Sequence, residues 1–152
     1  MTTARPTPPM TPDEDALVRA LPRLIYALPR AIDADLMREQ HLSLSEWTAL
    51  MRLSEAQSLR MRMGALAAAC ELSLSGMTRV VARLETQGLI ERVRSDDDAR
   101  GWTAVLTGAG GDRLRQAWPS NLASVRRHFL DHLEGVDLTR LARAIQRVAV
   151  DH

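Results

Sequence analysis

One segment, residues 72–92, "LSLSGMTRVVARLETQGLIER", most narrows what this chain can fold into. Its apolar residues recur at every third or fourth position, which is the period of an amphipathic α-helix. Ser73 can cap the first turn, and Gly88 can adopt the left-handed backbone that ends a helix. The spacing therefore predicts a helix over about 74–87 with one buried face. That face would consist of Leu74, Met77, Val80, Val81 and Leu84.

The opposite face of this helix carries small, polar and basic residues, where a solubilising helix would usually carry Glu and Lys. Small residues let a helix approach the floor of a DNA major groove, while Ser, Thr and Arg can bond to base edges or phosphates. The start of a helix also favours phosphate. We therefore interpret this face as a surface for double-stranded DNA, although a solvated face with scattered arginines stays open at this point. Its candidate contacts are Ser73, Ser75, Gly76, Thr78, Arg79 and Arg83.

The neighbouring sequence predicts a helix-turn-helix followed by a wing. Apolar spacing over about 63–71 indicates a short first helix, although Arg62 stands where its capping side chain should be. The preceding residues "SLRMR" could form a short strand. After Gly88, "LIERVRSDDDARGWTAVLT" predicts two strands joined by an Asp-rich tip. We place the DNA-binding module at 43–107.

Helical regions flank this module on both sides. Thr11 and Ser43 are each followed three residues later by Glu, which predicts the starts of two helices. The first helix carries an apolar stripe to about Met37 that Pro22 and Pro29 should kink or break in two. Beyond the hairpin, two further apolar stripes at helical spacing run over about 111–133 and 136–150.

The apolar area of these outer stripes is larger than a soluble monomer can leave exposed. The stripes therefore predict an obligate homodimer. We expect an N-terminal dimerisation region at 12–42 and C-terminal dimerisation helices at 108–152, with a disordered arm at 1–11.

Composition narrows the class of protein further. Aromatic residues make up 3% of the chain, and the abundance of Leu, Ala, Arg and Met favours a mainly α fold. The net charge is +1, and the chain contains Arg but no Lys. A net charge this close to zero disfavours broad binding of polyanions and is compatible only with a local basic surface. The single cysteine, Cys70, excludes an internal disulfide. No apolar run is long enough for a membrane span and the N-terminus has no signal-peptide core, so we expect a cytoplasmic protein.

Two segments resemble the multiple-antibiotic-resistance regulator (MarR) family. The sequence "DARGWTAVLT" at 98–107 is similar to the family's hairpin signature D-x-R-x-x-x-V-x-L-T, with Ala104 in place of the preferred Val. The sequence "LAAACELSLSGMTRVVARLETQGLIER" is similar to the family pattern LARLG-LS-STVSRLVDRLEKKGLVER. The resemblance covers roughly residues 12–150. It implies a winged helix-turn-helix fold that is mainly α with a small β-hairpin wing.

The resemblance also implies a function: a sequence-specific regulator, most often a ligand-responsive repressor, that binds a palindromic operator as a homodimer. The hairpin tips would then reach the flanking minor grooves. Arg100 would probe that groove, and Asp98 would orient Arg100 or a neighbouring Arg. Arg92 and Arg94 would contact phosphates. Asp96 and Asp97 should point away from the DNA or pair with Arg.

A small amphipathic effector, phenolic or anionic, would bind where the terminal helices meet the winged module. The candidate residues for this pocket are Tyr26, Arg30, Trp47, Met51 and Trp118. Aromatic and Met residues at helical spacing are also typical of an ordinary core.

Other chemistry has little support in the sequence. Cys70 lies on an apolar stripe, which favours a structural cysteine over a redox sensor. His128, Asp131 and His132 share a helix face, but we predict neither a metal nor a cofactor, and no catalytic motif indicates an enzyme. Two alternatives stay open: a winged-helix protein-interaction module that does not bind DNA, and a helical protein that sequesters small molecules.

Overall fold

The computed structural model of the chain describes residues 7–95 and 98–149. Helices predominate in these residues, and a small antiparallel sheet lies among them. The α-helices are α1 (Pro12–Pro22), α2 (Leu28–Gln40), α3 (Leu44–Glu55), α4 (Met63–Ala69), α5 (Leu74–Thr86), α6 (Gly108–His128) and α7 (Leu138–Ile145). The strands are β1 (Arg60–Arg62), β2 (Ile90–Ser95) and β3 (Asp98–Leu106). The predicted fold class, mainly α with a β-hairpin wing, is confirmed.

The first helix is interrupted between its two prolines, as the sequence predicts. A π-helical turn, Arg23–Ala27, separates α1 from α2, and Pro29 follows at the start of α2. A π turn changes the hydrogen-bond spacing, and it therefore accommodates a proline that lacks an N–H and would clash with a regular preceding turn. Both capping boxes form: Thr11 pairs with Glu14, and Ser43 pairs with Glu46.

The hydrophobic core is continuous from α2 to α6. Its completely buried members include Leu36, Leu42, Leu50, Leu53, Leu66, Met77, Leu84 and Ile90. The inner face of α5 is packed against α3, α4 and β2, and this packing fixes which face of α5 points outward.

Two sequence predictions about apolar residues are wrong. Leu74, expected in the core, is 56% exposed, because it occupies the first position of α5 and lines an open groove facing the wing. The long helix α6 ends at His128 and does not continue to Leu133. Phe129 leaves the helical conformation there, and a short 3-10 turn, Leu130–His132, follows.

The sheet has the strand order β1-β3-β2, with both pairs antiparallel. Ile90, Ala104 and Leu106 are buried and fix one end of the β2–β3 hairpin to the core, so that the other end projects as a wing. Asp96 and Asp97, at the tip, lie outside the described residues.

The root of the wing is joined tightly to α6. The Thr107 hydroxyl accepts a hydrogen bond from Gly110 N (3.0 Å) and donates one to the Gly88 carbonyl oxygen (2.7 Å). Gly110 is buried, and a Cβ there would overlap the Leu89 carbonyl oxygen and lie 2.6 Å from Leu106 Cδ1. A glycine is required at this position because the backbones of α6 and the hairpin approach so closely.

The terminal helices expose apolar side chains in the single chain. These include Leu17, Val18, Leu21, Ile25 and Tyr26 at the N-terminal end and Leu138, Ile145 and Val148 at the C-terminal end. Among the described helices, none is by itself long and apolar enough to span a membrane, and α4 with α5 meets that test only as a pair bent by 102°.

Candidate nucleic-acid interface

The helix-turn-helix is formed by α4, α5 and the link between them. The link begins at Cys70, where α4 ends, and Leu72 N donates to the Ala67 carbonyl oxygen (2.9 Å) to complete the turn. Ser73 then caps α5, because its hydroxyl accepts a hydrogen bond from Gly76 N at 3.1 Å. Partial burial raises the pKa of the Cys70 thiol, which disfavours the reactive thiolate.

The outward face of α5 brings together the small and polar residues singled out in the sequence. Ser73, Ser75, Thr78 and Arg79 are exposed, and Gly76 is half-buried. The Ser73 and Ser75 hydroxyls lie 3.2 Å apart, and Thr78 Oγ1 donates to the Leu74 carbonyl oxygen at 2.8 Å. Each hydroxyl keeps acceptor capacity toward the outside, so this stripe can still bind a polar ligand.

The two arginines of this face differ in how they are held. Arg79 is exposed and has no hydrogen-bond or ion-pair partner within residues 7–95 and 98–149. Arg83 Nε, one turn further along α5, donates to Glu46 Oε1 of α3 at 2.8 Å. In this part of the chain, Arg79 is therefore held by no other side chain, whereas Arg83 is bonded to the neighbouring helix.

The wing carries a second group of arginines around an aromatic ring. The Arg94 guanidinium lies 4.4 Å from the centroid of the Trp102 ring, a cation–π distance. Arg92 lies 5.9 Å from the same ring, and its guanidinium is 2.8 Å from Glu85 Oε2 of α5. Trp102 therefore holds one arginine over the wing, and the Arg92–Glu85 pair ties the wing to α5.

A groove of about 530 Å³ separates the wing from α5. Thr78 and Leu74 line its α5 side, and Arg92, Arg100 and Trp102 line its wing side. The structure thus brings Arg100 and Thr78, which are far apart in sequence, to one face of the molecule. Asp98 begins β3, but its side chain and the pairing with Arg100 lie outside what the structure describes.

The predicted effector residues are only partly brought together. Trp47 is buried and its ring centroid lies 5.9 Å from that of Trp118, which is 49% exposed. Trp47 Nε1 is buried and has no hydrogen-bond partner in residues 7–95 and 98–149. Met51 packs against the core nearby, whereas Tyr26 and Arg30 lie on the exposed side of the first helix.

Sequence reasoning missed a polar cluster where α2 meets α6. Asp35 is buried and accepts hydrogen bonds from Ser124 Oγ (2.7 Å), Arg38 (2.6 Å) and Arg127 (3.1 Å), and His128 Nε2 lies 2.9 Å away. The Ser124 hydroxyl and the Arg38 guanidinium hold the pKa of this carboxyl well below its usual range. The cluster accounts for His128 as a partner of Asp35.

Together, the α4–α5 pair and the projecting hairpin define a winged helix-turn-helix protein with helical extensions on both sides. The model of the MarR family matches residues 42–101. AbsC, a MarR family transcriptional regulator from Streptomyces coelicolor, is similar to this chain with 35% identity over 94% of this chain and 96% of its own (TM-score 0.80). The chain belongs to the MarR family of transcriptional regulators.

Further solved structures share this architecture. Sco3205, a MarR family regulator from Streptomyces coelicolor in complex with DNA, is 27% identical over 96% of this chain and 91% of its own (TM-score 0.83). The regulator BldR from Sulfolobus solfataricus, 23% identical over 91% of this chain and 100% of its own, shares the fold (TM-score 0.77). No curated protein matches the sequence significantly.

Proposed function

We propose that this protein is a cytoplasmic repressor that binds a palindromic DNA operator as a homodimer. A small effector then releases it from the operator. The observation that carries this proposal is the shared outward face of α5 and the wing. Thr78 and Arg100 line one groove, and Arg79 lies on the adjoining exposed stripe. A helix end with small and polar residues fits a major groove, and an arginine on a projecting hairpin fits the minor groove beside it.

On this proposal, the contacts divide into two groups. Ser75, Thr78 and Arg79 face base edges, while Ser73, Gly76 and Arg94 serve the phosphate backbone near the start of α5 and on the wing. Arg100 enters the minor groove, with Asp98 orienting it. Sco3205 shares the architecture and was solved in complex with DNA, which supports DNA binding by this chain.

The homodimer is supported by the exposed apolar faces of the terminal helices. Leu17, Leu21, Leu138 and Ile145 are exposed in the single chain. A second copy would bury these faces on a two-fold axis and would place two α5 helices for successive major grooves, about 34 Å apart. Rigid spacing between the two helices then determines operator affinity.

The effector proposal rests on Trp47. A buried indole N–H without an acceptor among the described residues is unfavourable, and a phenolate or carboxylate that reached Trp47 Nε1 beside Trp118 would supply one. Met51, Tyr26 and Arg30 would complete this pocket in the dimer. Such a ligand releases DNA only to the extent that it binds more tightly to the dimer conformation in which the spacing of the two α5 helices does not match the operator.

Selection of bound fragments from a random pool of double-stranded DNA tests the proposal. We expect enrichment of an inverted repeat whose half-sites lie one helical turn apart, and sedimentation should show two chains on each operator. A pool that shows no enrichment would favour a protein-interaction module. Effector titration with and without operator separates a regulator from a protein that only sequesters small molecules, because only a regulator couples the two ligands.

A further inference from the structure

A buried carboxylate on α3 holds an arginine of the recognition helix α5. Glu46 is buried, and its two oxygens have different partners. Oε2 accepts from Ser43 N (3.0 Å) and completes the capping box at the start of α3, while Oε1 accepts from Arg83 Nε (2.8 Å). Glu46 thus bonds its own helix and α5 at the same time.

The geometry leaves the outer edge of the guanidinium available. Arg83 uses Nε for Glu46, and its side chain is still 53% exposed. In the described residues, that bond to Glu46 is the one hydrogen bond of this guanidinium. The two terminal amino groups therefore remain as a planar pair of donors, which matches two oxygens of a phosphate.

Burial of Glu46 makes this orientation persistent. A buried carboxylate is costly without a cationic partner, so releasing Arg83 would leave an uncompensated charge. Arg79 has no such restraint and must be ordered when a ligand binds, which costs side-chain entropy. The two arginines, one turn apart, are therefore prepared for different tasks.

We propose that Glu46 is a positioning residue that fixes Arg83 for a phosphate of the DNA backbone, while Arg79 is the arginine of α5 that reads a base. This inference rests on the proposed DNA-binding function and assigns the roles of its two arginines. Arg83 lies further from the start of α5, the end that approaches base edges, and it leans toward α3. Arg83 then contributes affinity and register without sequence preference.

The Glu46→Gln variant gives the sharpest test, because two explanations predict opposite signs. Simple electrostatics expects tighter DNA binding when a carboxylate beside the interface becomes neutral. Positioning expects binding weaker by about fivefold or more, because Gln neither attracts Arg83 as a charge nor accepts both hydrogen bonds as well. Glu55→Gln is the matched control, since it makes the same change at an exposed position of α3 and should leave affinity unchanged.

Arg83→Ala should lower affinity evenly across operator sequences with single base changes, and the slope of log K against log salt should fall by about one. When Arg83 is already Ala, Glu46→Gln should have little further effect on affinity, because the guanidinium that Glu46 positions is absent. Unfolding midpoints measured in parallel identify any variant that merely fails to fold. The double variant removes both charges, and its operator affinity is then compared with that of Arg83→Ala.

Unchanged or tighter binding by Glu46→Gln would overturn the positioning role, and so would a base-dependent loss in Arg83→Ala. Failure of the proposed function is a different result, in which the unmodified protein enriches no DNA sequence. A chain that binds its operator and loses affinity through Arg79→Ala, but not through Glu46→Gln, would contradict this inference alone.

Discussion

The outward face of α5 and the junction of α2 with α6 use polar residues in opposite ways. On α5, Ser75, Thr78 and Arg79 are exposed, so their polar groups can exchange water for a ligand. At the junction, Asp35 is 6% exposed and gathers donors from both helices. We therefore expect polar residues of the first region to serve binding and those of the second to serve stability. Substitutions on the outward face of α5 should therefore change DNA affinity, and substitutions at the junction should change the free energy of unfolding.

The largest effect is expected at the junction. Asp35→Ala removes the acceptor of Ser124, Arg127 and His128 and leaves the buried Ser124 hydroxyl without its partner. Loss of several hydrogen bonds to a charged group should lower the free energy of unfolding by about 3 kcal/mol or more. Urea unfolding followed by circular dichroism measures this change. An unchanged midpoint would show that the cluster does not stabilise the fold.

The same carboxylate should make stability depend on pH in the acid range. Because the pKa of Asp35 is lowered in the folded state, its stabilisation is fully present above the unfolded value of about 4. That stabilisation is lost as the pH falls below this value toward the folded-state pKa. Asp35→Asn should flatten the dependence of unfolding free energy on pH there. An equally steep dependence in that variant would assign the effect to other carboxylates.

A smaller effect, in binding alone, is expected on the outward face of α5. Arg79→Ala should weaken operator binding by about 1–3 kcal/mol if the side chain meets a base, and its unfolding midpoint should not change because the residue has no partner in the described structure. Arg115→Ala, at an exposed position of α6, removes the same charge as a control. Fluorescence anisotropy at fixed salt measures both. A fall in stability with unchanged affinity would contradict the comparison.

The smallest effect is expected where the two kinds of role meet. Ser73→Ala removes the hydroxyl that caps α5 and should cost about 1 kcal/mol of stability. Ser73→Asp should restore the cap, since a carboxylate also accepts from Gly76 N, but it places a negative charge on the face proposed to bind DNA. Compared with Ser73→Ala, Ser73→Asp should therefore have a higher midpoint of thermal unfolding and a lower operator affinity. Parallel changes would show that capping alone governs this position.

The sequence predicts features that depend on neighbouring residues. Ser73, Ser43 and Gly88 carry local capping signals, and the structure places helix ends at each of them. The outward stripe of α5 is also predictable, because helical periodicity alone separates buried from exposed positions. The position of Leu74 is not, since exposure at a first helical residue depends on whether another element covers it.

Supporting contacts between distant residues could not be predicted in this way. Asp35 and Ser124 are 89 residues apart, and Glu46 and Arg83 are 37 apart. No spacing rule for a single helix or strand connects such pairs. Glu46 was recognisable only as part of a capping box, and its second partner emerges when α3 packs against α5. Trp102 carries a weak signal, because it lies on the strand opposite Arg94 in a hairpin of alternating residues.

The close fit at Gly110 limits how the molecule can move. With no space for even a methyl group between the start of α6 and the Leu89 carbonyl, and with Thr107 bridging Gly88 and Gly110, these backbones cannot slide past one another. Any rotation of α6 must carry the base of the hairpin and the end of α5 with it. The end of α5, the hairpin and the start of α6 should therefore turn together, and a rotation of about 5° at the base of a hairpin about 20–30 Å long moves its far end by about 2 Å.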